Sequence, residues 1–373
     1  MTYKKEEEQQ MTKNTAIEPK QLIRPCYGLA ALSQGDRLLP WAFERKELRS
    51  NDIAVKIQFC GVCHSDLHAI RGNSRFPLVP GHEIVGEVTA IGADVTKFQI
   101  GDAVVVGTIV DSCGHCPPCK SHIEQYCSEG VTTTYDGTDK QDGSITRGGY
   151  SNEYVVDTHF AYHIPSNLAP ASVAPLLCAG VTTWSPLRHW DVKPGKTVGI
   201  VGLGGLGHMA VKFAHALGAY VVLFSTSAAK LADAKALGAD EAILSTDEAQ
   251  MAAQRLRFDF ILDTVSSRHP LNPYLRILKL DGTLCCLGIP TDMDFSPVLL
   301  TMGRRRLASS GVGGTQETQE MLDFCSKHNI AADVEVIAAA DIDDGFEQLE
   351  RGNVRYRLVI DMATLNAPVG NAA

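Results

Sequence analysis

The sequence predicts a mixed α/β protein in two parts, a β-rich domain and a doubly wound parallel sheet with helices on both faces. Three observations predict it. From Ile53 to about Asp157 the chain is rich in Val, Ile and Gly, in short apolar stretches broken by turn residues. Beyond about Ala171, short apolar runs alternate with segments of helical period, the pattern of a parallel sheet with crossover helices. Four cysteines crowd into one stretch, Cys113 to Cys127, in the first part.

The bulk numbers fit this division. A chain of 373 residues is long enough for two ordinary domains. Hydrophobic residues at 45% and charged residues at 21% are the balance of a soluble globular protein. A net charge of −9 argues against nucleic acid and anionic membrane as partners. No apolar run approaches the roughly 20 residues that span a bilayer. The start, Met-Thr-Tyr-Lys-Lys-Glu-Glu-Glu, lacks the apolar core of a secretory signal, and residues 1–19 read as a disordered tail. Eleven cysteines, an odd number without secretory context, suit a reducing cytoplasm and thiolates reserved for metal.

In the β-rich part, strands are expected at Ile53–Phe59, Ile84–Val88 and Ala103–Val106, and the polar, glycine-rich run from Thr132 to Gly149 reads as a long loop. Cys113, Cys116, Cys119 and Cys127 follow at gaps of two, two and seven residues. Gaps of two let a tight loop aim successive thiolates at one point, as a tetrahedral zinc with S–Zn bonds of about 2.3 Å requires. Four thiolates leave no open position, so this zinc is expected to be structural. His115 lies inside the loop but is not needed as a ligand.

In the second part the expected order is strand Thr197–Val201, helix Leu206–Leu217, strand Tyr220–Phe224, helix Ala228–Leu237, strand Phe258–Leu262, helix Leu271–Leu280 and strand Thr283–Leu287. A helix at Thr315–His328 leads to a last strand, Tyr356–Ile360, and Ala363–Ala373 reads as frayed. Between the first strand and first helix stands Gly202-Leu203-Gly204-Gly205-Leu206-Gly207. In that context G-x-G-x-x-G is a dinucleotide fingerprint. Gly202 makes the tight turn, Gly204 lets backbone approach a pyrophosphate, and Gly207 lets helix and strand pack closely. The free N–H groups of the helix then face the phosphates. An NAD site wants an acid at the end of the second strand for the ribose hydroxyl. This chain has Ser225, Thr226, Ser227 and Lys230 there, three hydroxyls and an ammonium that suit a 2′-phosphate. NADP(H) is therefore the expected cofactor. Ser and Thr here also suit the start of the next helix.

The remaining motifs are Cys60-Gly-Val-Cys63-His64-Ser65-Asp66-Leu67-His68, then Gly81-His82-Glu83 with Gly86 and Gly92, and the Ala-Pro-Leu-Leu-Cys178-Ala-Gly-Val-Thr182-Thr run. With them the chain resembles the zinc-dependent medium-chain alcohol dehydrogenases. Within that family it is most similar to the cinnamyl-alcohol-dehydrogenase branch and the bacterial NADPH-dependent aldehyde reductases. The likeness extends from about Leu22 to Met362. It implies a GroES-like catalytic domain over 20–176 that the chain rejoins at 316–373, a Rossmann domain at 177–315, and an active site in the cleft between. It implies a catalytic zinc on Cys63, His82 and Cys178, with Glu83 beside the metal as an alternative ligand and Asp66 orienting His82. Ser65 and His68 would relay the proton, His64 would lie near the pyrophosphate and Thr182 near the nicotinamide. The implied reaction is reversible hydride transfer between NADPH and an aldehyde polarised by zinc, in a homodimer joined through its Rossmann sheets.

Cys60 lies in a CxxC pair with Cys63, but the matching motif uses only the second thiol. Cys26, Cys285, Cys286 and Cys325 read as core packing, and His189, His208 and His215 as structural. The run from Arg71 to Pro80 looks shorter than its family counterpart and lacks a tryptophan that borders the substrate pocket, which leaves substrate preference open. Two other functions compete. An NAD-dependent polyol or secondary-alcohol dehydrogenase would want the missing acid after Phe224. A non-catalytic NADP-binding protein would be expected to lose ligands that are all present here.

Overall fold

The computed structural model describes residues 23–288, 290 and 292–368. The expected tail at 1–19 lies outside them. The chain opens with an antiparallel pair, β1 (Ile23–Ala30) and β2 (Leu39–Lys46). The next strand, β3 (Asp52–Val62), pairs antiparallel with β4 (Ile84–Ile91), which pairs with β5 (Ala103–Val106). A small ribbon of β6 (Ile109–Asp111) and β7 (Thr132–Thr133) flanks the four-cysteine loop. β8 (Glu153–Asp157) pairs with the first half of β3, and β9 (Ala161–His163) with β5.

The second sheet is all parallel. It consists of β10 (Thr197–Val201), β11 (Tyr220–Ser225), β12 (Glu241–Leu244), β13 (Phe258–Asp263), β14 (Leu278–Cys286) and β15 (Arg306–Ser309), side by side in the order β12-β11-β10-β13-β14-β15. The order reverses at β10, and such a switch point is where open α/β sheets bind ligands, outside the carboxyl ends of the strands. The chain then returns through helix Thr315–His328 and adds β16 (Val334–Ala338) and β17 (Arg357–Asp361) to the first sheet, with β17 lying against the end of β3.

One buried cluster joins the two sheets. Val85, Val105 and Val359 from the first share it with Ile200 and Leu223 from the second. Leu176, Leu177, Trp184, Phe213, Met321, Leu322 and Cys325 fill the space between. Segment Ala174–His189 and helix Thr315–His328 therefore lie sandwiched between the sheets.

Two expectations are corrected and one is refined. The helix expected over Leu271–Leu280 ends at Ile277, because Leu278 is extended, buried and paired with Phe258 as the start of β14. The C-terminal stretch is not frayed at its start. Asp361 accepts from the Ala363 amide at 3.0 Å, Thr364 accepts from the Ala339 amide at 2.8 Å, and Leu365 is buried. The loop from Thr132 to Gly149 is long but anchored: the amides of Gly148, Gly149 and Tyr150 donate to Val79, Gly81 and Pro80 at 2.7–3.0 Å. Arg75 pairs with Asp136 of that loop at 2.9 Å, and Leu78 exchanges two backbone hydrogen bonds with Ala31. The short Arg71–Pro80 segment is thus held on both sides.

Candidate active site

Three separate segments deliver four donor atoms to one point. β3 leads into Cys63, which begins helix His64–Arg71. The first turn of that helix buries Asp66 completely. Its carboxylate accepts from the Cys63 amide at 3.0 Å, the Gly81 amide at 3.1 Å and the Tyr150 hydroxyl at 3.1 Å. The same carboxylate lies 3.1 Å from His82 Nδ1. With Nδ1 engaged, His82 turns Nε2 the other way, where Glu83 Oε1 stands at 3.9 Å. Cys178 arrives at the head of helix Ala179–His189, with its Sγ 3.9 Å from Cys63 Sγ. One donor atom each from Cys63, His82, Glu83 and Cys178 lies within 4.8 Å of all the others.

This donor set fits zinc. Two thiolates and one imidazole have the right softness, and a carboxylate on the far side of the imidazole is the usual support for a metal-bound histidine. Burial opposes charge on His82, but Asp66 and Cys63 outweigh it and raise its affinity for a proton well above normal. The hydrogen bond between the sulfurs holds the Cys63 thiol well below the usual range and pushes Cys178 up. Burial drives Glu83 up and the Arg357 guanidinium pulls it back, leaving it at about 7.

Arg357 has no place in the sequence-based site. It sits in β17, is 5% exposed, and donates to Glu83 Oε1. Its guanidinium also covers Gly205: a Cβ there would come within 2.9 Å of Nη1. One buried cation thus spans the metal pocket and the glycine turn. The available signal was an arginine inside an apolar strand, Tyr-Arg-Leu-Val-Ile. Tyr150 and Tyr135 were also missed. Tyr150 holds Asp66 from the long loop, and the Tyr135 ring lies 5.8 Å from the His82 ring.

Ser65 is exposed beside the pocket, with Oγ 3.5 Å from Cys63 Sγ. His68 is exposed one turn further along the same helix. The His64 ring, exposed at the head of the same helix, lies 6.3 Å from the His68 ring. Thr182 is half-buried one turn into its helix, its amide donating to the Cys178 carbonyl at 3.0 Å.

The glycine turn has the geometry expected of it. Gly202 has φ +90°, a conformation that side chains disfavour, and its amide donates to Phe224 at 2.9 Å. A Cβ on Gly207 would come within 2.1 Å of the Gly202 carbonyl, so only glycine permits this packing. Beside Gly204 the space is open, at the head of helix Gly205–Ala216, with Leu206 half-buried in its first turn. Ser225 ends β11 buried, its Oγ accepting from the Ser227 amide at 3.1 Å, while Thr226 is exposed. Lys230 reaches back to donate to the Leu203 carbonyl at 3.0 Å. The hydroxyl cluster and the ammonium thus flank the turn together.

The other four cysteines converge as their spacing predicts. Sγ separations are 3.9 Å for Cys113–Cys119, 3.4 Å for Cys116–Cys119 and 4.0 Å for Cys116–Cys127. Backbone amides of Cys113, Cys116 and Ser128 donate to sulfur at 3.4–3.5 Å, support that thiolates want. His115 pairs with Glu129 at 2.6 Å. Cys60 is fully buried in the core.

Comparison with known families gives two matches. The alcohol dehydrogenase GroES-like domain matches residues 49–166, and the zinc-binding dehydrogenase family matches residues 205–327. Aldehyde reductase YahK of Escherichia coli is 49% identical over 344 residues, 90% of this chain and 98% of that one. The chain belongs to the zinc-dependent medium-chain alcohol dehydrogenases, in their cinnamyl-alcohol-dehydrogenase-like branch. Solved structures agree. A cinnamyl alcohol dehydrogenase from Sorghum bicolor superposes with a TM-score of 0.90 at 42% identity, covering 93% of this chain and 100% of that one. The Helicobacter pylori cinnamyl alcohol dehydrogenase complexed with NADP(H) gives 0.87 at 38% identity, covering 92% and 100%. The first sheet is accordingly the GroES-like part of this dehydrogenase and the parallel sheet its Rossmann part.

Proposed function

We propose that this dehydrogenase reduces aldehydes to primary alcohols with NADPH, at a zinc site formed by Cys63, His82 and Cys178 with Glu83 in reserve. The observation that carries this reading is the buried convergence of those donor atoms within 4.8 Å, with His82 already oriented by Asp66. Bound there, zinc supplies a Lewis acid for a carbonyl oxygen, and NADPH supplies the hydride. The chain's own residues orient the reactants and handle the proton. Ser65 Oγ gives up a proton at the pocket and His68 replaces it from solvent. Thr182 lines the nicotinamide side and His64 the pyrophosphate side. The four-cysteine lobe holds a second, structural zinc.

NADPH is favoured because the segment from Ser225 to Lys230 contains no Asp or Glu. The NADP(H) complex of a relative supports the same choice. We place the domain divisions at about 177 and 316, with helix Thr315–His328 as the joining element. A homodimer through the Rossmann sheets is supported by the open edge at β15 and by Leu280, Val298 and Met302 nearby, 66%, 60% and 77% exposed. A cytoplasmic enzyme is the companion reading; among the described residues no helix is long and apolar enough to cross a membrane.

The test is kcat/KM for NADPH and NADH across aromatic and aliphatic aldehydes. A clear NADPH preference is expected, and Ser225→Asp should move it toward NADH, because the new carboxylate repels a 2′-phosphate and accepts from a ribose hydroxyl. A wild-type preference for NADH overturns the cofactor reading, and no activity on any aldehyde overturns the reaction.

A further inference from the structure

Glu124 is 1% exposed in the four-cysteine lobe, yet it stands outside the cluster of donor atoms that Cys113, Cys116, Cys119 and Cys127 form there. Its carboxylate points out of the lobe. Oε2 accepts from the Thr315 amide at 2.9 Å, and Oε1 accepts from the Thr315 hydroxyl at 2.8 Å. His159 Nε2 lies 3.0 Å from Oε1. Burial pushes the carboxyl up, but the bonds from His159 and Thr315 outweigh it and hold it at about 2. A buried carboxylate at the first amide of a 14-residue helix completes that helix's N-terminus and suits its dipole.

The helix it anchors presses on the one that begins at Cys178. The connection Gly313-Gly314 has no room for side chains. A Cβ on Gly314 would come within 1.8 Å of the His122 carbonyl in the lobe, and one on Gly313 within 2.4 Å of Val181. Glu317 Oε2 accepts from the Gly314 amide at 3.2 Å, and its Oε1 accepts from Ser185 Oγ at 3.1 Å. One turn further, Met321 Sδ stands 3.3 Å from where a Gly180 Cβ would be. Contacts therefore run without a break from the lobe, through the head of helix Thr315–His328, to the helix carrying Cys178 and Thr182. The lobe has four cysteines to hold its own fold, so the outward bond of Glu124 serves the neighbour.

We propose that Glu124 is a positioning residue: through Thr315, Glu317 and Ser185 it fixes the Cys178 helix, so that the four-cysteine lobe sets the geometry of the distant Cys63–His82–Cys178 site. This deepens the proposed function and rests on its assignment of those three residues as zinc ligands.

The experiment measures zinc release from purified, zinc-loaded protein into excess 4-(2-pyridylazo)resorcinol, alongside steady-state kinetics. Wild type should release two zinc ions in two phases, and Cys63→Ser should lack the phase belonging to the Cys63 site. If Cys63→Ser still holds two zinc ions, the underlying site assignment fails, separately from the present proposal. Glu124→Gln should speed the Cys63-site phase about 10-fold, the low end for an outer-shell partner. It should leave the four-cysteine phase within twofold and lower kcat more than it raises KM. Thr315→Val should act in the same direction and add little to Glu124→Gln in the double variant. Ser185→Ala leaves the lobe contact intact and should also speed the Cys63-site phase, so the far end can be read even if Glu124→Gln folds poorly. Acceleration of the four-cysteine phase alone, or a lowered melting temperature with an unchanged Cys63-site phase in Glu124→Gln and Ser185→Ala, overturns the proposal.

Discussion

Helix His64–Arg71 divides its work between two faces. Asp66 turns inward to hold His82, while Ser65 and His68 stay at the surface. A proton delivered to the pocket has to cross that surface, and general acid help of this kind is worth about 10²–10⁴-fold. On the proposed relay, Ser65→Ala removes the inner link and is expected to lower kcat for aldehyde reduction roughly 10²-fold. His68→Gln should cost less, because water substitutes at an exposed end. Full activity of Ser65→Ala across the neutral pH range would remove Ser65 from the proton path. A second residue-scale expectation concerns His208, which is fully buried and stacked on Tyr356 with ring centres 5.0 Å apart. Burial, helped by the charges of Lys212 and Arg357, lowers its proton affinity to about 3. An unfolded histidine takes its proton near about 6.5. Between those values the unfolded chain binds more protons than the folded one, so stability falls as pH drops through that window. His208→Phe keeps the stacking and removes the titration. Urea unfolding at several pH values should show wild type losing up to about 1.4 kcal/mol per pH unit more than the variant below about 6.5. Parallel pH curves would contradict this.

The two cysteine clusters differ at the level of the elements that hold them. Cys63, His82 and Cys178 hang on a long strand, an anchored loop and a buried helix, all braced by apolar packing. The lobe from Cys113 to Cys127 has a four-residue helix, one turn of 3₁₀ helix and a core made largely of its own cysteines. A metal bound there would replace a hydrophobic core, and its binding energy would be folding energy. Cys116→Ser should therefore lower the melting temperature by about 10 °C, a loss of roughly 8 kcal/mol in a chain of this size. Cys63→Ser should keep the melting temperature within a few degrees and lose activity. Differential scanning calorimetry with metal analysis decides it, and equal melting temperatures for Cys116→Ser and wild type would contradict the role assigned to the lobe.

At the scale of the molecule, the Rossmann sheet is open, with edge strands at β12 and β15. β15 is an edge strand, and an unpaired edge next to exposed Val298 and Met302 is a surface that other chains can pair with unless it is covered. If a second copy covers it, Met302→Asp buries an unpaired charge at that contact and should shift the enzyme to monomer in sedimentation velocity. A wild type that is already monomeric at micromolar concentration would exclude the dimer.

Much of this protein is legible in its sequence because the signals are local. The strand–glycine–helix run at Thr197–Ala216, the four-cysteine spacing and the hydroxyl-rich end of β11 each depend on residues close together in the chain, where backbone geometry alone limits what can form. The structure brings Cys63, His82 and Cys178 together as the family motifs imply, and His82 is oriented by Asp66 sixteen positions earlier. Elements that depend on distant partners were not legible. β3 extends to Val62 because Leu358, far along the chain, pairs with that residue. Leu278 leaves its helix because Phe258 offers it a strand partner. Arg357, Tyr150 and Glu124 act through contacts across 274, 84 and 191 positions. A local pattern can flag such a residue, as the apolar strand around Arg357 does, but it cannot name the partner, because a buried charge or hydroxyl is stable only beside a group that the folded chain supplies. The sequence by itself determined the chemistry and the two kinds of sheet. The tertiary structure decided which polar groups brace the metal pocket, since desolvation and hydrogen bonding act only once distant segments are packed together.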